Sequence, residues 1–503
     1  MAHVDRMYGR LVAALRAQTD LSDTLQLLEW DQETVMPAGA VERRARQIGT
    51  LAAVLHERRT DPAFLALVDE LAAAGDELET QQAADVRETK WRLDRARCLD
   101  PELVRERSTL HAQARAVWVS ARRDNDFSAL APWLRRVFDT ERRMAAAIDP
   151  RRPAYDVLLE EFEPGMSAET LDRLFRELHA GLQPLVERLQ RTAERRHRRA
   201  GALCGVFPVD AQRGFNRLVA GRLGFVFDKG RLDEAAHPFT ATVGDDVRIA
   251  TRYAADDLRY GLYATIHETG HALYEQGLDP VAWGTPSGSA CSFGIHESQS
   301  RLWENQVGRS EAFWKHLLPA AREAFPALAG RSLDAVLFAV NDAGPSLIRT
   351  EADEITYNLH IILRFELERS LIDGTLEVAA LPRVWRERMR RYLGIEPESD
   401  RDGVLQDVHW SGGAIGYFPS YALGNVYAAQ LFKAAQAEIG PLDDAVTAGE
   451  FAVLLGWLRQ RVHRFGQTYR PVELIARATG GAPTVRPLLE HLASRVAFLE
   501  TVS

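Results

Sequence analysis

Cysteine is scarce in this chain: Cys98, Cys204 and Cys291 are the only three in 503 residues. They lie far apart with no CxxC spacing, which excludes a disulfide framework or a cysteine-based metal site and suits a reducing compartment. Long hydrophobic runs are missing as well. No stretch approaches the roughly eighteen consecutive apolar residues needed to span a bilayer. The opening segment, Met1-Ala2-His3-Val4-Asp5-Arg6, lacks the apolar core of a secretory signal. The expectation is a cytoplasmic protein without membrane contact. Nor is there an excess of positive charge. The formal net charge is -9, which argues against a nucleic-acid partner. Two local basic runs, one of Arg191, Arg195, Arg196, Arg198 and Arg199 and one of Arg383, Arg386, Arg388, Arg390 and Arg391, read as solvated helix faces or helix ends.

With 46% hydrophobic and 26% charged residues, the composition is that of an ordinary globular chain long enough to bury a large core. Leu171, Leu174, Phe175, Leu178, Leu182, Leu185 and Leu189 recur at helical spacing, with Ser167 as N-cap and a kink expected at Pro184. Leu21, Leu25 and Leu28 continue the same rhythm nearer the start. Between residues 203 and 255 the texture changes. Gly205-Val206-Phe207-Pro208, Phe225-Val226-Phe227 and Val247-Arg248-Ile249 have strand character, and Asp228, Gly230, Gly244 and Asp245 read as turns. Helical patterning resumes near residue 256. The expected class is mainly α with a small β element. With no repeat or long linker, the chain reads as a single domain, 1–503, with a helical part to about residue 200 and a catalytic part from about 201.

The chemistry concentrates at His267-Glu268-Thr269-Gly270-His271. Histidines four apart on a helix share one face, with Cβ atoms about 5–6 Å apart, and two imidazoles so placed can hold one tetrahedral Zn²⁺. The same spacing also fits two histidines on an ordinary helix surface. Leu262, Ile266 and Leu273 provide the apolar face, and Gly277 can end the helix. A third ligand is required. Glu297 in Gly294-Ile295-His296-Glu297-Ser298-Gln299 is the candidate; Glu275 can instead be a surface charge, and Glu304 a carboxylate that orients a ligand. Glu268, one step around the helix, is placed to act as general base towards a metal-activated water attacking a peptide carbonyl.

Several further segments resemble the Taq-type thermostable carboxypeptidases, the M32 metallocarboxypeptidases. They are Trp30-Asp31-Gln32-Glu33-Thr34 through Met36-Pro37; Tyr155-Asp156-Val157-Leu158-Leu159 leading to Glu163-Pro164-Gly165-Met166; His237-Pro238-Phe239; His296-Glu297-Ser298-Gln299; Ile348-Arg349 with Ala352-Asp353; and Gly403-Val404-Leu405-Gln406-Asp407-Val408-His409-Trp410. One departure stands out: the family's DxRxT reads here as Asp246-Val247-Arg248-Ile249-Ala250, with Thr251 one place later. The resemblance implies a mainly helical, two-lobed body with a deep central groove. It also implies removal of single residues from the free C-terminus of peptides, zinc or cobalt as the metal, and a homodimer.

An exopeptidase must recognise a terminal carboxylate, and arginine's fork suits it. Arg349 is the candidate, with an intrahelical pair to Asp353 as the alternative. His409 can donate to the substrate carbonyl or oxyanion, or be a core histidine beside Trp410. Tyr417 is the oxyanion donor favoured by its glycine-rich setting, with Tyr421 next; either phenol can instead be a packed aromatic. His237 and Arg248 are further substrate-contact candidates, whereas His463 reads as structural. The competing functions are an endopeptidase or oligopeptidase on the same site and a non-catalytic helical scaffold.

Overall fold

A computed structural model describes residues 2–196 and 200–502. Of the 191–199 basic run, Arg198 and Arg199 lie outside the described residues, as do the side chains of Arg195 and Arg196. Helices dominate, and no described helix is long and apolar enough to cross a membrane. The chain divides into two compact units that do not follow sequence order. One comprises Met1–Asp94, Gly201–Val340 and Leu431–Ala482; the other comprises Arg95–Ala200, Asn341–Gln430 and Pro483–Ser503.

The second unit is helical. The Ala168–Arg196 helix begins where the Ser167 hydroxyl accepts from the Thr170 amide, and it runs through Pro184. Its leucine stripe is buried throughout, from Leu171 to Leu189. The helix Leu381–Leu393 carries the second arginine run, and Arg383, Arg386, Arg388 and Arg390 each pair with a carboxylate.

The first unit contains the sheet. Its strands are β1 (Gly230–Glu234), β2 (Phe239–Val243) and β3 (Asp246–Thr251), in the order β1-β3-β2, with β1 parallel and β2 antiparallel to β3. Two of the expected strands are not strands. Phe207 and Phe225 are instead single apolar anchors sunk into the core, each followed or preceded by exposed chain at Val206 and Val226. Conversely Gly230, read as a turn, opens β1. A side chain there would sit 2.0 Å from the Val247 carbonyl oxygen, so only glycine permits that pairing. Residues directly opposite on neighbouring strands share a face. Thr240 and Ile249 are so paired, as are Ala241 and Arg248. Val247 and Ile249 pack with Ala220, Phe225 and Ala272, so Thr240 is carried on the face that meets the Leu258–Glu275 helix. Arg248 and Arg231 lie on the other face, over the Trp30 ring.

The Leu258–Glu275 helix is capped by Asp257, which accepts from the Arg259 amide at 2.8 Å. The helix Phe293–Arg301 is capped by Ser292 and continues into a π-helical segment, Leu302–Val307. These two helices touch backbone to backbone at Gly270. A methyl group there would lie 2.6 Å from both the Gln299 carbonyl oxygen and the Ser300 Cα. Neither contact can be relieved by a side-chain rotation. Gly270→Ala is therefore expected to lower the unfolding free energy of the metal-free chain by about 1–3 kcal/mol, the usual range for overpacking. An unchanged thermal midpoint would show that the helices do not meet this closely.

Candidate metal centre

The first turn after Ile266 brings His267 and His271 to one side of their helix, with ring centroids 4.9 Å apart. Glu297 arrives from the facing helix. Its Oε2 lies 3.5 Å from His267 Nε2 and 3.4 Å from His271 Nε2. One ligand atom from each residue falls within 4.8 Å of the others. Two ligands held about 2.0–2.1 Å from a tetrahedral ion stand about 3.3–3.4 Å apart, so both carboxylate–imidazole separations suit a shared cation. Two imidazole nitrogens and one carboxylate oxygen are also the donor types of a catalytic zinc site with an open fourth position. The residues present thus fit a divalent ion.

Charge around the three is arranged in layers. Burial pushes the Glu297 carboxyl up, but Arg301 and then His267 and His271 outweigh it and hold it well below the ordinary range. Arg301 Nε donates to Glu297 Oε1 at 2.7 Å, leaving Oε2 towards the histidines. His267 Nδ1 lies 2.8 Å from Glu304 Oε2, and Glu304 is in turn paired with Arg301 and Arg309. Burial raises Glu304, but Arg301 and His267 bring it down to about 2. On His271, burial dominates and lowers the imidazole to about 3. His271 Nδ1 faces His296 Nδ1 at 2.5 Å, and His296 Nε2 lies 2.7 Å from Glu275 Oε1. Glu268 is buried, which raises its pKa, and its Oε2 accepts from the Thr240 hydroxyl at 2.7 Å. A cavity of about 450 Å³ reaches this region, lined among others by Asp23, Thr240, Glu275, Trp283 and His296.

Residues 10–496 match the family model described as Carboxypeptidase Taq (M32) metallopeptidase. The chain belongs to this family. It is 44% identical to thermostable carboxypeptidase 1 of Thermus thermophilus, covering 98% of both chains. It is 37% identical to carboxypeptidase 1 of Bacillus subtilis, covering 96% of this chain and 97% of the relative. Among solved structures, the M32 carboxypeptidase from Deinococcus radiodurans R1 superposes with a TM-score of 0.95 at 40% identity, over 99% of this chain and 100% of that one. Membership makes the chain a metallocarboxypeptidase, of the same mainly helical fold as these M32 structures.

The other residues singled out in this M32 sequence fall in two places. In the first unit, His237 is exposed in the β1–β2 loop. Arg248 is engaged by Asp246 at 2.6 Å and stacks on Trp30. His463 is fully buried, with Nε2 2.9 Å from Gln299 Oε1. In the second unit, Arg349, His409, Tyr417 and Tyr421 form one cluster. Arg349 does not pair with Asp353. It starts a short 3-10 turn rather than an α-helix, and Asp353 accepts instead from the Gly344, Ile355 and Thr356 amides and the Thr356 hydroxyl. The partner of Arg349 is Asp407, at 2.9 Å, which Arg364 shares at 2.5 Å. His409 Nε2 lies 3.2 Å from the Tyr421 hydroxyl, and burial lowers the imidazole to about 4. The Tyr417 ring packs on Phe162 and Tyr421. Beneath them, Glu368 accepts from Trp410 Nε1, the Tyr155 hydroxyl and the Gly416 amide.

Sequence reasoning missed Thr240, Arg301, Arg309, Arg364 and Glu368. Thr240 had one signal, its place directly after His237-Pro238-Phe239. Arg301 had another, its i+4 spacing from Glu297.

Two outcomes follow. Glu297→Ala should abolish stoichiometric metal at micromolar concentrations, read by elemental analysis after gel filtration; full retention would move the third ligand elsewhere. Burial raises the Glu368 carboxyl to about 7 against its three hydrogen-bond donors. The folded chain thus holds this proton more tightly than the unfolded chain. The associated stability is complete below 4.5 and is lost as pH rises through about 7. In metal-free Glu368→Gln that component is gone, so stability should fall less steeply over this window in urea titrations. Equal slopes would contradict the assignment.

Proposed function

We propose that this M32 member releases single amino acids from the free C-terminus of peptides, with Glu268 as general base. The observation that carries the reading is the carboxylate of Glu268, buried and oriented by Thr240, one residue from a His267–His271–Glu297 donor set. Zinc, or cobalt in its place, is the ion the donor set suits; when bound it polarises the scissile carbonyl and makes water more acidic.

Glu268 is anchored through Oε2, which leaves Oε1 to take the proton of the attacking water and later deliver it to the departing amine. His267 and His271 present Nε2 because their Nδ1 atoms are engaged elsewhere. Recognition of the terminal carboxylate is assigned to Arg349. Two guanidinium groups share the single Asp407 carboxylate, so that cluster keeps one net positive charge to complement an anionic terminus. His409 is held neutral by burial and therefore serves as a hydrogen-bond donor rather than a cation. With Tyr417, and Tyr421 behind it, it is assigned to the substrate carbonyl and developing oxyanion. His237 is kept as a substrate-backbone contact. For Arg248, its engagement with Asp246 and Trp30 favours a structural part.

Glu268→Gln should keep its metal and lose about 10²–10⁴-fold in kcat; near-normal turnover would assign the proton transfer to another group. A peptide with a free C-terminus should lose residues one at a time while its C-terminally amidated twin stays intact. Internal cleavage of the amidated peptide would make the enzyme an endopeptidase instead.

A further inference from the structure

In the second unit, the segment that carries Asp407 and His409 is laid along one helix, Pro101–Asp124, in reverse order. At the helix's C-terminal end, Arg401 donates its amide to Asn125 Oδ1 at 2.7 Å and its Nε to the Arg122 carbonyl at 3.0 Å. Further back, Trp118 Nε1 donates to the Leu405 carbonyl at 3.0 Å. Seven residues before Trp118, and so on the same face, His111 lies against Gly413. A side chain on Gly413 would overlap His111 at Cε1 and Nε2, so the backbone rests directly on the ring. Asp407 and His409 fall between these last two supports.

Gly413 is tied to the residues assigned to the substrate carbonyl. It ends the short turn His409–Gly412 in the left-handed region, at φ 73°. Its amide donates to the Trp410 carbonyl at 3.1 Å, and the next amide, Ala414, donates to the His409 carbonyl at 3.0 Å. Glu368 pins the loop at Trp410 and Gly416, immediately before Tyr417. His111 is the support between those two pins. The ring is itself held: Nε2 lies 2.9 Å from Oε1 of Glu141, a fully buried carboxylate that also accepts from Arg107 Nε at 2.8 Å. Filling space does not call for this, since an aliphatic side chain would pack there without a carboxylate to bury. What Glu141 adds is a fixed attitude of the ring.

We infer that His111, held by Glu141, is a positioning residue that sets His409 and Tyr417 through its contact with Gly413. The inference rests on His409 and Tyr417 acting at the substrate carbonyl, as in the proposed function.

The test measures kcat and KM of the full metal-loaded enzyme on a peptide with a free C-terminus. Rates are counted per metal-loaded chain, at a temperature where circular dichroism shows each variant fully folded. A merely structural part for His111 would then leave kcat unmoved. His111→Ala should lower kcat about 10–100-fold, the scale of a small misplacement of acting groups. KM should stay near the wild-type value, because the lost contact is made in the transition state. Gly413→Ala, which pushes from the other side, should do the same and serves if His111→Ala does not fold. In the double variant the new methyl takes the vacated place, so kcat should recover about tenfold over Gly413→Ala, within the coupling range of touching residues. Additive losses would overturn the inference, as would wild-type kcat in Gly413→Ala. Wild-type kcat in His111→Ala, with His409→Ala impaired, would overturn it and leave the proposed function standing. Wild-type kcat in His409→Ala would overturn both the inference and the assignment of His409.

Discussion

One carboxylate holds the arrangement together. Glu297 is buried, which on its own would cost several kcal/mol for an unpaired charge. It is tolerated because Arg301, one turn along the same helix, binds one oxygen, and two imidazoles from the facing helix meet the other. Everything that positions Glu297 serves this balance. Gly270 lets the helices close to backbone contact, and the Ser292 cap fixes where the second helix begins. Arg301 also reaches Glu304, so the same cation supports a ligand and the carboxylate behind His267. The π-helical turn that follows carries Glu304, an irregularity of the kind often found at functional sites.

The second unit holds a buried acid by the same device, with two arginines as its partners. There one acid, Asp407, sits between two buried arginines. Burial raises it, but Arg364 and Arg349 bring it far below the ordinary carboxyl range. Glu368 stands nearby with three neutral donors, and burial outweighs them and the charge of Arg364, so it is pushed up rather than down. Two buried carboxylates in one unit are thus shifted in opposite directions, the one by its arginine partners and the other by burial, and Glu368 fixes the loop that carries Trp410 and Gly416.

Much of this was legible in the amino-acid sequence because it rests on local periodicity. The His267–His271 spacing and the leucine stripe after Ser167 are set within one helix, where three or four residues decide which face is shared. What was hidden depends on partners distant in sequence. Thr240 reaches Glu268 only because β2 pairs with β3 in a register that turns it to the helix. Asp407 claims Arg349 across 58 residues, whereas Asp353, the nearer acid, spends its oxygens on backbone amides. Gly230 carries the signature of a turn, yet its missing side chain is what lets β1 approach Val247. Glu275 looks like one more charge at a helix end until His296 is seen beside it.

The account stands or falls on two imidazoles and one carboxylate sharing a cation. X-ray absorption at the metal edge of the chain loaded with one equivalent of zinc reads that coordination directly. The account predicts two imidazole nitrogens at about 2.0–2.1 Å with oxygen completing a four-coordinate shell. A shell fitted by oxygen alone, or one containing sulfur, would contradict it.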